Sequence, residues 1–384
     1  MIIGYDGKRA VNNMTGLGNY SRFIVEGIAE ENPGDTLLLY TPKEGSGPRL
    51  DKIRKLPNVE FRYPAPQGLK GSLWRTFGIT NHLRADKVDI FHGLSNELPL
   101  NIRSGGVPSV VTMHDVIYRR LPGCYKPIDR WMYDFKYGRS CRNADHIIAV
   151  SQRTKDDVAE LYDIEPEKVT VVYQGCDPQF RRQWSAEELR ELRSRLRLPQ
   201  RYLLQVGTIE KRKNLEISVR ALNNISPDMS LVVVGKDHHG YKSYIERLAA
   251  ESGVTDRILF LEGLPFKDLP GINQGAEIVL YPSRYEGFGI PVLEALESGR
   301  PVIAATGSCL EEAGGPDTLY INPDDPSDMV QAVHALLSDP AATRMMTQAG
   351  KEYALRFRGE DMAAKVKNVY EYTIENFKRN KLHK

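Results

Sequence analysis

The chain has 384 residues, more than one ordinary domain holds, so two domains of normal size, each with its own core, are expected. Lysine and arginine total 52 against 50 acidic residues, which excludes the strongly basic field of a nucleic-acid binder. The four cysteines, Cys124, Cys141, Cys176 and Cys309, lie far apart with no C-x-x-C pair, which argues against a zinc ribbon or a disulfide framework and suits a reducing compartment.

The opening "MIIGYDGKRAV" reads as a short strand followed by polar residues, without the apolar core of a signal peptide. No span elsewhere reaches the roughly 18 apolar residues of a membrane helix, so a soluble, intracellular protein is expected. Next, "MTGLGNYSRFIVEGIAEE" sets Gly16 and Gly18 ahead of a helix whose Leu17, Tyr20, Ile24 and Ile28 fall at helical spacing. Glycines there can approach a phosphate or a sugar, although such a stretch is more often just a turn. It makes a poor dinucleotide fingerprint, because Ser21 stands where a third glycine is needed.

Short apolar runs then recur between helical patterns: "TLLLY", "VDIF", "SVVTM", "HIIAV" and "VTVVY" in the first half, "YLLQV", "LVVVG", "ILFL", "IVLY" and "PVIAA" in the second. Continuous rather than alternating hydrophobicity suits strands covered on both faces, the condition of a parallel sheet. The class is therefore α/β, with two doubly wound domains. Ligands of such sheets sit beyond the carboxyl ends of the strands, so residues directly after the runs carry the most weight. His114 and Asp115 follow "SVVTM" directly; a histidine there can donate to a substrate hydroxyl or simply pair with backbone. Between 118 and 142, arginines and lysines mix with Trp131, Tyr133, Phe135 and Tyr137, which suits docking on anionic lipid or a lipid-linked diphosphate, and equally suits a partly buried helix with solvated charges.

In "QWSAEELRELRSRLRLPQ", Ser185 and Glu188 form a capping box pattern and Pro199 closes the segment, which marks residues 185–200 as the linker between domains 1–184 and 201–358. After "YLLQV", Lys211, Arg212 and Lys213 precede a helix with Asn214 as its cap and Leu215, Val219 and Leu222 on one face. Three cations beside free backbone donors can neutralise a diphosphate without a metal, although a lone K-R-K is more often a solvated turn. His238 and His239 have no carboxylate or cysteine at ligand spacing, so a surface loop rather than a metal site is expected. After "EIVLY" come Glu286, Gly287, Phe288 and Gly289, then a helix that starts near Pro291, carries Glu294 in its first turns and stops at Gly299. The glycine loop and helix start can hold an anion between two carboxylates that reach hydroxyl groups; two solvated acids are the bland alternative.

In this order the motifs resemble the retaining glycosyltransferases of family 4, across nearly the whole chain, and the wording "VGTIEKRKN" resembles bacterial mannosyltransferases of polysaccharide and lipopolysaccharide assembly. The resemblance implies the GT-B fold, two Rossmann-like domains facing across a cleft and closing over the ligands, with 359–384 a helix crossing back to the first domain. It implies a nucleotide-sugar donor, GDP-mannose as the first choice, and a glycan or lipid-linked saccharide acceptor, with no cofactor, no metal and no nucleic acid. The implied location is the cytoplasm, or the inner face of the cell membrane by peripheral contact. Lys213 and Arg212 would grip the diphosphate, Glu286 the sugar hydroxyls beside the backbone of Gly287, Phe288 and Gly289, and Glu294 the ribose. His114 would touch the transferred sugar, and Gly16 and Gly18 its phosphate. Thr208 departs from the pattern, standing where many members have an arginine, so Arg212 or Lys211 would substitute. Rival expectations are a nucleotide-sugar epimerase or a glycoside phosphorylase of the same fold, a catalytically silent nucleotide-sugar-binding subunit and, disfavoured by the weak fingerprint, a dinucleotide oxidoreductase.

Overall fold

The apolar runs of the first half form β1 (Ile2–Asp6), β2 (Thr36–Tyr40), β3 (Val59–Arg62), β4 (Ile90–Gly93), β5 (Ser109–Met113), β6 (His146–Ala149) and β7 (Val169–Val171) in a computed structural model that describes residues 1–13, 16–65, 71–358 and 360–382. They pair in parallel in the order β3-β2-β1-β4-β5-β6-β7. The second half forms β8 (Arg201–Val206), β9 (Met229–Val234), β10 (Ile258–Leu261), β11 (Ile278–Tyr281), β12 (Val302–Ala305) and β13 (Leu319–Ile321), again all parallel, in the order β10-β9-β8-β11-β12-β13. Each sheet winds outward from a reversal point, between β1 and β4 in one and between β8 and β11 in the other, which is the doubly wound arrangement.

Central strands are buried along most of their length: Ile3, Ile90, Val110, Leu203 and Leu280 have no exposed surface, so both faces favour apolar side chains. Two strands escape the sequence pattern. β3 and β13 lie at sheet edges, and their half-exposed residues need no continuous apolar run.

The chain divides into two units, Met1–Gln174 with Gly359–Lys384, and Gly175–Arg358. The break thus falls after Gln174, and segment 185–200, expected as a linker, belongs to the second unit. Its helix Ala186–Leu196 has the expected capping box of Ser185 and Glu188. It also buries Leu192 beside Gly271 and pairs Arg195 with Asp268 at 2.8 Å, contacts that a linker does not make.

The C-terminal helix Glu360–Leu382 is part of the first unit, packing along helix Gly16–Glu31. Val366 and Tyr370 are fully buried, and Lys367 pairs with Asp35. The Tyr370 hydroxyl meets Nδ1 of buried His92 at 2.6 Å, and Nε2 of His92 meets Thr112 Oγ1 at 2.8 Å. Burial, with a smaller effect of His114, holds the His92 imidazole down at about 3, so it is uncharged. Tyr370→Phe leaves a buried ring nitrogen without its partner and is expected to cost about 1–3 kcal/mol. Urea unfolding followed by a probe in the first unit checks this, and an unchanged midpoint would show that the hydroxyl contributes nothing.

Candidate active site

The second unit places its charged side chains at the reversal point between β8 and β11. After Val206 the chain turns sharply at Gly207 (φ 144°), and its carbonyl lies where a Cβ on Gly235 would come within 1.8 Å, so the two loops meet only because Gly235 has no side chain. Lys211, Arg212 and Lys213 then form a 3-10 turn ahead of helix Leu215–Leu222, whose Leu215, Val219 and Leu222 are buried as the spacing predicts. Asn214 does not cap that helix with its side chain. It sits in the left-handed region (φ 55°), and its Nδ2 donates to the Pro323 carbonyl at 2.8 Å, tying the basic turn to the neighbouring loop.

From the other side of the reversal point, the loop after β11 brings Glu286 onto this turn. Its Oε1 accepts from Arg212 at 2.6 Å, from Lys213 Nζ at 2.6 Å and from Ser283 Oγ at 2.5 Å. Lys213 also donates to the Tyr281 hydroxyl at 2.6 Å, and Arg212 to the Tyr285 carbonyl at 2.9 Å and to Glu210. Burial by itself would raise the Glu286 pKa, but Lys213 and Arg212 outweigh it and bring it down to about 2. Burial pulls the Lys213 ammonium below its ordinary range, against the attraction of Glu286. Lys213 and the exposed Thr208 line one small cavity with Gln205, Gly207 and Ile209. Tyr281 and Ser283 complete the cluster. Tyr281 ends the apolar strand β11 and Ser283 follows it by two residues, and that position is the one signal that sequence reasoning could have used.

Beyond Glu286, the backbone of Glu286 and Phe288 accepts from Cys309 Sγ at 3.1 and 2.8 Å, and the Phe288 ring packs edge-on against Phe357 at 5.5 Å. Phe288 thus anchors the loop through its side chain and leaves the flanking glycines to shape it. Gly289 (φ 126°) starts helix Ile290–Glu297, and Gly299 (φ 68°) follows its end. Glu294 stands in that helix, 8% exposed, and its charge acts on Tyr281, the tyrosine that Lys213 meets. His238 and His239 are exposed, as expected for a surface loop, with His238 Nδ1 3.8 Å from Glu210.

The remaining predicted residues belong to the first unit. His114 follows β5 and is buried; its Nε2 donates to the Leu94 carbonyl at 2.9 Å, which fixes the tautomer and makes Nδ1 an acceptor. Burial pushes its pKa down to about 4, opposed by the Leu94 bond and aided by Arg9, so the ring is neutral at pH 7. Tyr20 packs edge-on against it at 4.6 Å. Gly16 and Gly18 are not ahead of the helix but in its first turn, and the neighbouring residues 14 and 15 lie outside the described residues. A Cβ on Gly18 would come within 1.8 Å of the Asn13 carbonyl oxygen, so glycine is required there by close packing. Buried Arg22, which the sequence reading passed over, braces the same turn by donating to the Ala10 and Asn13 carbonyls at 2.8 Å each.

The basic aromatic stretch sorts by face. In helix Pro127–Asn143, Tyr133 and Tyr137 pack inward on Tyr118, each with ring centroids 5.7 Å away. Ile128, Trp131, Met132 and Phe135 face solvent, with Trp131 stacked on Phe135 at 6.2 Å and exposed Lys126, Arg130 and Arg139 beside them. Arg119 and Arg120 are instead paired with Asp134 and Asp157.

One consequence of the site geometry concerns pH. Burial, reinforced by Asp177, raises the Glu294 pKa from 4.5 to about 8. Between those values the folded state binds more protons than the unfolded state, so stability falls as pH rises through that window. Glu294→Gln is expected to flatten the decline in denaturant unfolding. A pH profile identical to the wild type would show that this carboxyl titrates normally.

Residues 14–180 match the family described as Glycosyltransferase Family 4, and residues 190–353 the family described as Glycosyl transferases group 1. O-antigen chain mannosyltransferase B of Escherichia coli is 28% identical, with 93% of this chain and 96% of that protein aligned. MMP alpha-(1->4)-mannosyltransferase of Mycolicibacterium hassiacum is also 28% identical, over 95% and 97% of the two chains. Among solved structures, Anabaena Alr3699/HepE in complex with UDP and glucose superposes with a TM-score of 0.77 at 19% identity, covering 97% of this chain and all of that one (100%). WaaG, a glycosyltransferase involved in lipopolysaccharide biosynthesis, superposes with a TM-score of 0.71 at 19% identity, over 96% and 99%. With its two parallel sheets and a matching family domain in each half, the chain belongs to the family 4 glycosyltransferases and has their GT-B fold.

Proposed function

We propose that this glycosyltransferase moves mannose from GDP-mannose to a glycan or lipid-linked saccharide, with retention at the anomeric carbon and without a metal ion. The observation that carries the proposal is the clustering of Arg212 and Lys213 around Glu286 at the carboxyl ends of β8 and β11. As the bond from the anomeric carbon to the diphosphate lengthens, negative charge grows on phosphate oxygens and positive charge on the sugar. Two cations held in place before the ligand arrives meet that charge without reorganising, which is the task a divalent ion performs elsewhere. The acceptor oxygen attacks from the face the diphosphate leaves: its bond to the anomeric carbon forms as the carbon–oxygen bond to phosphate breaks. Its proton passes to the departing phosphate oxygen, so no protein base is required.

In this scheme Glu286 keeps one oxygen on the cations and turns the other to sugar hydroxyls. Gly287, Phe288 and Gly289 offer backbone N–H groups, Glu294 holds the ribose, and the neutral His114 accepts from a hydroxyl of the transferred sugar. Mannose is favoured by the names of the two relatives, both mannosyltransferases. The outward apolar face of helix Pro127–Asn143 with its adjacent cations suits peripheral contact with an anionic bilayer on the cytoplasmic side; among the described residues no helix is long and apolar enough to cross a membrane.

Lys213→Ala is expected to lower kcat for transfer about 100-fold or more, while chelation leaves the wild-type rate unchanged; wild-type turnover from the variant, or loss of activity with chelator, overturns the scheme. In thermal-shift measurements with GDP-, UDP- and ADP-sugars, GDP-mannose should raise Tm most. For the membrane contact, Trp131→Glu with Phe135→Glu should abolish co-sedimentation with anionic vesicles, and absence of wild-type binding would remove it.

A further inference from the structure

The chain passes between its two units twice, after Gln174 and after Arg358, and next to both passages an arginine is fastened to one side chain that the roles above leave unused. Glu297 is the last residue of helix Ile290–Glu297, 2% exposed, on the same face as Glu294 at the i, i+3 spacing. A carboxylate so deeply buried needs cations, and it has two. Arg358, the final residue of the second unit, grips it through two guanidinium nitrogens, Nε to Oε1 and Nη2 to Oε2, each at 3.1 Å. Arg181, near the unit's first residue Gly175, donates its Nε to Oε1 at 3.2 Å.

Each passage meets the same helix, or the loop that leads into it, by a second contact. On the incoming side the 3-10 turn Pro178–Arg181 packs on the helix, the charge of Asp177 acts on Glu294, and those of Glu294 and Glu297 act on the buried Cys176 thiol. On the outgoing side the buried Phe357 ring lies edge-on against Phe288 at 5.5 Å, the loop residue whose carbonyl accepts from Cys309. A hinge turns over a few backbone dihedrals. With Arg181 and Arg358 fastened to a single carboxylate, rotation is confined to the few residues beyond the clamp, and a shift of the helix carries both passages with it.

We infer that Glu297 is a positioning residue: clamped by Arg181 and Arg358, it ties both chain passages to the helix that carries Glu294, so that a nucleotide engaged by that helix sets the conformation of the passages. The inference rests on the glycosyltransferase reading, in which Glu294 holds the ribose and the loop 287–289 lies beside the donor, and it adds the route by which that engagement reaches the hinge. Glu297 touches no substrate in this scheme. Its carboxylate offsets two guanidinium charges that would otherwise repel each other, and the bidentate grip of Arg358 fixes its orientation. Removing the charge leaves two cations facing a neutral group and frees the passages from the helix.

The test is hydrogen–deuterium exchange on the full chain, read in segments 175–182 and 352–358, with and without saturating GDP. In the wild type GDP should slow exchange in both segments. Without ligand, Glu297→Gln should speed exchange in both at once. Arg358→Gln, at a side chain 35% exposed, leaves Glu297 paired with Arg181 and so does not depend on tolerance of the fold. It should loosen the distant segment 175–182 as well as its own, and lower kcat for transfer about 10-fold with KM for the donor and affinity for GDP unchanged. Exchange in 175–182 that ignores both variants, a wild-type kcat from Arg358→Gln, or bound GDP that leaves both segments as they were overturns the inference. Failure of the wild type to bind GDP counts against the donor reading of the second unit, and the ligand-free comparison then decides the clamp by itself.

Discussion

The charged loops at the β8/β11 reversal point are arranged around one buried carboxylate. Glu286 could not stay ionised away from water by itself, because desolvation favours the neutral acid. Arg212 and Lys213 reverse that balance, with Ser283 taking up a further lone pair. The dependence runs both ways, since burial works against the Lys213 ammonium. Two cations are thereby kept on a short 3-10 turn at a sheet reversal point, where alone they would repel one another. In the proposed scheme a diphosphate would meet donors already in position, the cost of bringing the charges together having been met in folding.

The two units use one architectural rule with different chemistry. In both, the strand order reverses after the first strand, and the loops that leave the carboxyl ends on either side of the reversal carry the charged groups. At β8 and β11 two cations surround one carboxylate, an arrangement suited to an anion that leaves. At β1 and β4 two carboxylates and two cations interlock beside an apolar wall. The difference lies in the side chains around each reversal point, since the six strands of the second sheet repeat the order of the first six of the other.

The C-terminal helix gives the first unit a second layer of constraint. Tyr370, His92, Thr112 and Tyr20 form a buried chain of hydrogen bonds through the middle of the sheet, and Tyr20 packs on His114. With each polar atom satisfied by the next, the chain fixes ring orientations that apolar packing alone would leave free. The position of His114 therefore depends in part on a residue more than two hundred positions away in sequence.

Local sequence was enough to determine the parallel sheets, the turn glycines Gly289 and Gly299, and the placing of Lys213 and Glu286 in loops after strands with Glu294 in the next helix, because strand burial and backbone conformation act on neighbouring residues. The edge strands β3 and β13 stayed invisible, β3 because Glu60 and Arg62 break its apolar run and β13 because it is only three residues long, and helix Ala186–Leu196 passed for a linker because one buried leucine decides its packing. Only the tertiary structure could decide that Glu286 binds the very cations expected to hold a phosphate, that Asn214 serves a distant carbonyl, and that Asp6, Arg75, Glu97 and Lys136 meet at one pocket. Those contacts join side chains from separate elements, and a hydrogen bond across such a distance in sequence leaves no periodicity or spacing to read.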